Sequence, residues 1–308
     1  RTFRIRYRPT AVIAIRIHTI PIVLLCNDTK LIDKLARHFA RYVVDLPEPH
    51  AFRVYLLQGE PVFDAKMLED LPHSKAGKGE KEIYYDIPEA RIIVNRQTGI
   101  TTYVAEPDHY VVGNLLANFD QAVNAVDMVF VKAMLNMEYL LLHASAIISC
   151  RGGVAFTSLS NAGKSTIALD LLDRDYRFIT DDRLFVRLGD DGVEMVGVPK
   201  KLRVNPNTML GNLHLSLPNY HKDHERYDKL NPQEPRELEE KQHLDEDDYF
   251  ENGIFQLGGQ LQALYLLKWN SRGHGQQVSL LNQEQGMKAL QEISKDVGIY
   301  NQSPSKDF

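Results

Sequence analysis

The chain has 308 residues, 44% hydrophobic and 25% charged, a balance that suits a globular protein with a substantial core and room for two domains. Its net charge of −5 lacks the basic footprint of a general nucleic-acid binder, so nucleic acid is not an expected partner. Two cysteines, Cys26 and Cys150, sit in apolar strand-like settings and read as buried free thiols of a reducing compartment.

Residues 1–113 read as a small N-terminal α+β domain. Alternating runs at 11–17 and 21–26 suggest an antiparallel pair. The stretch 10–26 also carries Arg16, His18 and Pro21, too many interruptions for a membrane span. No secretory leader pattern opens the chain, so the expectation is a cytoplasmic protein without a membrane partner. Asn27-Asp28 caps a helix whose Leu31, Leu35, Phe39 and Tyr42 share one face. Residues 52–57 form another strand, 71–81 a Lys/Gly-rich solvated loop, and 91–94 with 100–104 a hairpin.

A connecting helix is expected over 114–139, with Leu115, Phe119, Val123, Val126, Phe130 and Met134 packing it on the following domain. From residue 140 to 308 the order is strand, hairpin, loop, helix and strand, then a hairpin turning at Gly189-Asp190-Asp191-Gly192. Residues 219–251 are a charged excursion, read as a solvated helix or loop or else as a lid or docking surface for a partner. Its His221, His224 and His243 lack zinc-ligand spacing. A late core strand at 262–267 and a helix at 283–294 close the pattern.

The chemistry concentrates at Val154-Ala155-Phe156-Thr157-Ser158-Leu159-Ser160-Asn161-Ala162-Gly163-Lys164-Ser165-Thr166. An apolar strand there runs into a loop and then a helix, the arrangement in which backbone N–H groups converge on a phosphate. Lys164 supplies a mobile charge for the β/γ-phosphates, and the Ser165 hydroxyl can ligate Mg²⁺. Ser158, Ser160, Asn161, Ala162, Gly163 and Thr166 complete the nucleotide-binding set. Ser158 stands where the usual pattern has glycine, and Asn161 is a tolerable substitute for another. Gly-Lys-Ser/Thr alone arises by chance in roughly one chain in six of this length, so the strand–loop–helix context carries the reading. Asp181-Asp182 follow a second strand, where a helix of about 11 residues and a returning strand bring them back beside the phosphates. One carboxylate can hold Mg²⁺ and the other can accept the proton of an attacking hydroxyl.

The run from His143 to Asp182 resembles the catalytic core of bacterial HPr kinase/phosphorylase, with a strand histidine, a turn at Arg151-Gly152-Gly153, the loop 157–165 and a strand ending Asp-Asp. The resemblance spans about 40 residues strongly. It implies an α/β (α+β) fold: a mixed-sheet P-loop kinase core of the HPr kinase C-terminal type, related to phosphoenolpyruvate carboxykinase, beside a smaller N-terminal domain. It implies that Lys164 contacts phosphates, that Ser165 and Asp182 ligate Mg²⁺, and that Asp181 is the base with His143 beside it. The two aspartate roles are exchangeable. Glu194 falls where the family carries a glutamate near the metal. The family's arginine is replaced in Glu194-Met195-Val196-Gly197-Val198-Pro199, and positive charge reappears at Lys200, Lys201 and Arg203 as a candidate phosphate clamp.

These readings lead to a Mg²⁺-ATP-dependent kinase acting on a hydroxyl, either Ser/Thr of a small protein or peptide or a small molecule, of the diverged HPr-kinase-related branch. The competing expectations are a nucleotide-binding regulator without turnover and a scaffold with a vestigial core. HPr kinases assemble as homo-oligomers, and the resemblance carries that expectation too.

Overall fold

The computed structural model describes residues 7–60, 81–87, 90–158, 163–172, 176–199, 203–204, 242–243, 255–268 and 277–295. They form a mixed α+β structure of two compact units, divided between Met137 and Glu138. The Lys/Gly-rich loop at 71–80 and nearly all of the charged excursion at 219–251 lie outside the described residues.

In the first unit β1 (Ala11–Ile17) and β2 (Ile20–Cys26) pair antiparallel around the turn at His18-Thr19. Helix α1 (Thr29–His38) starts where the Asp28 carboxylate accepts the Leu31 N–H at 2.9 Å, satisfying one of the orphan donors of a helix start. Its Leu31 and Leu35, with Phe39 just beyond, are fully buried, whereas Tyr42 lies in a short 3₁₀ turn and is half-buried. Then come β3 (Val43–Val44), β4 (Phe52–Gln58), β5 (Glu82–Ile87), β6 (Ala90–Asn95), β7 (Thr101–Val104) and β8 (Asp108–Gly113). They complete an eight-stranded sheet ordered β3-β1-β2-β4-β8-β7-β6-β5, parallel at β2–β4 and β4–β8.

Helix α2 (Phe119–Asn136) packs on β2 and β4 of this same sheet and belongs to the first unit. Leu115, Val123, Val126, Phe130 and Met134 are buried as their spacing requires, and Phe119 is half-buried. Under this layer His109 is 5% exposed. Burial and the Lys132 charge push its imidazole down to about 4, against the opposing pull of Glu106 and Asp108. Lys132 itself pairs with Glu106 at 2.8 Å.

The second unit begins with the hairpin β9 (Leu140–Ser149) and β10 (Gly152–Thr157). Cys150 lies in its turn and is exposed, correcting the expectation of a buried thiol; Cys26 is buried on β2. Helix α3 (Lys164–Leu172), β11 (Arg177–Thr180), the hairpin β12 (Arg183–Gly189) with β13 (Gly192–Gly197), and a small pair β14 (Arg203–Val204) and β15 (Gln242–His243) follow. The described part ends with β16 (Gly258–Leu266) and α4 (Gln283–Ile293), the latter opened by a reciprocal Asn282–Gln285 capping box.

The six-stranded order is β10-β16-β13-β12-β9-β11, and an additional β9–β10 pairing closes five of these strands into a ring. β10 and β16 run parallel. Strand alternation sorts the side chains of β9 between two cores. Leu142, Ala144, Ala146 and Ile148 join Ala155, Leu184 and Met195 inside the ring, where small residues suit a narrow interior. Ile147, with Phe156 and Phe178, faces outward and receives Ala168, Leu169 and Leu172 of α3. β16 is only half-buried along most of its length, less enclosed than a core strand. No described helix is long and apolar enough to cross a membrane.

Candidate functional site

The outward face of β9 continues from Ile147 through Ser145 to His143, and α3 begins above it. The Ser145 hydroxyl, fully buried, donates to the Lys164 carbonyl at 3.0 Å and fixes the first residue of the helix to the sheet. Thr157, the last residue of β10, donates its hydroxyl to the His143 carbonyl at 2.8 Å, while its own carbonyl accepts the Leu267 N–H at 2.7 Å. Three segments are therefore held together where the motif leaves the sheet.

Ser158 and Lys164 bracket the loop, whose Leu159, Ser160, Asn161 and Ala162 lie outside the described residues. Lys164 is 8% exposed, and its Nζ donates to the Ser158 hydroxyl at 3.1 Å. A buried ammonium needs such acceptors, because leaving it unsatisfied costs far more than one hydrogen bond gains. Serine is accommodated in the glycine's place because Ser158 does not adopt a left-handed backbone conformation. That conformation falls instead at Gly163, with φ +83°, immediately before the helix. Ser165 is half-buried and Thr166 exposed in the first turn of α3.

The aspartate pair occupies a bend between two strands that share one neighbour. β11 pairs with β9 as far as Thr180↔Ala146, and β12 resumes at Arg183↔His143. Asp181-Asp182 therefore lie opposite Ala144-Ser145, one strand spacing (about 5 Å) from the strand over which α3 begins. His143 lies on a strand, as the resemblance implied, but not at its end. It sits inside β9 at the point where pairing passes from β12 to β11.

Around Asp182 the structure gathers nitrogen groups. Lys295 Nζ donates to Oδ1 at 2.7 Å, His143 Nε2 stands 3.6 Å from the same oxygen, and Arg183 Nε lies 3.8 Å from Oδ2. Burial pushes the Asp182 carboxyl up, but the Lys295 hydrogen bond and charge, aided by Arg183 and His143, outweigh it. The carboxyl is held below its ordinary value. Lys295 was not anticipated from sequence. It follows α4 and reaches the site because Ser294 bridges Leu142 and the Lys295 N–H donates to the Leu141 carbonyl at 2.8 Å.

Glu194 does not join this group. It pairs with Arg187, four residues along β12 from the Arg183–His143 row and so about 13 Å away by strand rise. Its carboxylate accepts the Tyr139 hydroxyl at 2.5 Å and Arg187 Nη2 at 3.3 Å. The Arg187 guanidinium also lies 4.3 Å from the Tyr139 ring centroid, and burial together with Glu194 pushes the phenol up to about 12. Glu194 is thus an anchor on a strand paired on both sides, apart from the Asp182 group, which corrects its expected place near a metal. Lys200 and Lys201 lie outside the described residues, and Arg203 is described only as the backbone partner of His243 in β14–β15.

Among the described residues no cluster of three or more His, Cys, Asp or Glu could hold a metal by itself. Ser165 and Asp182 carry the hydroxyl and carboxylate oxygens that a nucleotide-borne Mg²⁺ would accept, since that ion keeps phosphate oxygens and waters as its other ligands and takes only one or two side chains. No family model matches the chain, and no curated protein matches it.

Proposed function

We propose that the second unit is a Mg²⁺-ATP-dependent kinase of the HPr-kinase-like type, transferring the γ-phosphoryl group to a hydroxyl of a protein, peptide or small molecule. The observation that carries this reading is that the Lys164 helix start is tied to β9 at Ser145 while the Asp181–Asp182 bend lies beside the same stretch of that strand. The barrel-like closure of a mixed sheet with α3 on its outside supports the carboxykinase-related fold the resemblance implies.

In this reading the loop backbone and the start of α3 bind the triphosphate, and Lys164 leaves Ser158 to neutralise the β/γ-phosphates. Mg²⁺ bound with the nucleotide would be held by Ser165 and Asp182 and would offset charge on the β- and γ-phosphates. The acceptor oxygen forms the new bond to the γ-phosphorus as the bond to the β-γ bridging oxygen breaks, and ADP leaves. Asp181 accepts the hydroxyl proton, and His143, within 3.6 Å of Asp182, positions that carboxylate. The protein contributes position and electrostatics rather than covalent chemistry.

γ-Labelled ATP supplied with hydroxyl acceptors, including proteins of a cell extract, tests the reading. Label should pass to an acceptor, and Lys164→Ala should reduce transfer by at least about a hundredfold. ATP binding without any acceptor-dependent ADP would favour the regulatory alternative, and turnover untouched in Lys164→Ala would remove the kinase.

A further inference from the structure

We infer that the Lys295 ammonium is the resident counter-ion of Asp182, occupying the place that the nucleotide's divalent cation takes, so that the cation must displace it to reach the carboxylate. This rests on the proposed kinase reading and concerns the regulation of the same site. Lys295 and a metal would compete for one atom. The ammonium is already 2.7 Å from Asp182 Oδ1, the length of a charge-assisted hydrogen bond. A magnesium ion would bind an oxygen at about 2.1 Å. Among the described residues, His143 and Arg183 stand further from Asp182, at 3.6 and 3.8 Å, and leave Lys295 as its nearest positive group.

The way Lys295 is carried supports displacement over permanent attachment. Its backbone is fixed: Ile293 is 4% exposed in the ring core, Ser294 bridges Leu142, and the Lys295 N–H is bound to Leu141. Its side chain is 30% exposed, and a lysine stem has rotatable bonds enough to swing the ammonium aside without moving that anchor. A half-buried carboxylate gains from a positive partner beside it. A tethered lysine supplies one before nucleotide arrives and retires when a cation does.

Mn²⁺ titrated into the full chain with a non-hydrolysable ATP analogue, free Mn²⁺ being read by electron paramagnetic resonance, tests this. Lys295→Met should bind Mn²⁺ about tenfold more tightly than wild type, while Lys295→Arg, still charged, stays close to wild type. Unchanged or weaker binding in Lys295→Met overturns the inference while leaving the kinase reading in place. Wild type that binds no Mn²⁺ with the analogue removes both. Should Lys295→Met fail to fold, amine acylation mapped by mass spectrometry answers the same question in wild type. Lys295 should become more reactive when Mn²⁺ and the analogue are added together than with the analogue alone, and equal reactivity overturns the inference.

Discussion

His109 is buried and Asp182 half-buried, and the two units treat these titratable groups in opposite ways. Beneath the helix-covered face of the open eight-stranded sheet, His109 has a net push toward the neutral form. At the loop end of the closed sheet, Asp182 is held in the charged form by Lys295, Arg183 and His143. A protein core tolerates a titratable side chain most cheaply by discharging it, so keeping one charged requires assembled partners. Such an assembly at the end of a strand–loop–helix unit is what a phosphate and a cation would use.

The largest effect should come from removing the charge that the second region maintains. Asp182→Asn should lower phosphoryl transfer by about a thousandfold in single-turnover assays, whereas Glu194→Gln should stay within about threefold, its carboxylate lying about 13 Å along the strands. Equal losses in the two variants would break the distinction between them.

The opposite treatment of His109 gives the next largest effect. Its folded value of about 4 lies below the ordinary 6.5, so the unfolded chain binds the proton first. Stability is therefore complete above about pH 6.5 and declines as pH falls toward 4. Between pH 7 and pH 5 the first unit should lose about 2 kcal/mol in urea unfolding, and His109→Leu should flatten that decline. Asp182 has the same sign in a lower window. Its depressed carboxyl contributes stability above its ordinary value of 3.8, and that contribution is lost as pH falls through the folded value.

Smaller effects separate anchors from chemistry. Tyr139→Phe should cost about 1 kcal/mol of stability without changing transfer, and a double-mutant cycle with Glu194→Gln should show coupling between them. Ser145→Ala, which removes the tie between β9 and the Lys164 carbonyl, should cost a similar amount, about 1 kcal/mol, and also loosen ATP binding slightly.

Local patterns carried much of this structure in the sequence. The alternation of 11–17, the Asp28 cap and the 3.6-residue spacing of Leu31, Leu35 and Phe39 each marked its element. β8 was missed because Asp108-His109-Tyr110-Val111-Val112-Gly113 follows Pro107 and is too short to show a clear period. The helix around Val123 and Phe130 announced its apolar face but not the sheet that face would cover. The site divides in the same way. Lys164, Asp181 and Asp182 are legible because the chemistry of the loop and of the strand after it is local. Lys295 is not, since the Leu142–Ser294 bridge and the Lys295 N–H bond to the Leu141 carbonyl, both made only on folding, bring a residue 113 positions beyond Asp182 to that carboxylate. Glu194 misled for a related reason, because the register of β12 on β9 and β13, which sequence spacing does not encode, sets its distance.

The most direct test of the central claim is calorimetric titration of ATP into the full chain with and without Mg²⁺, for wild type and Asp182→Asn. Wild type should bind at least about tenfold more tightly with Mg²⁺, and Asp182→Asn should bind ATP alone but lose that enhancement. An undiminished Mg²⁺ effect in Asp182→Asn, or no ATP binding by wild type at all, would contradict a triphosphate and cation shared between the α3 start and the aspartate bend.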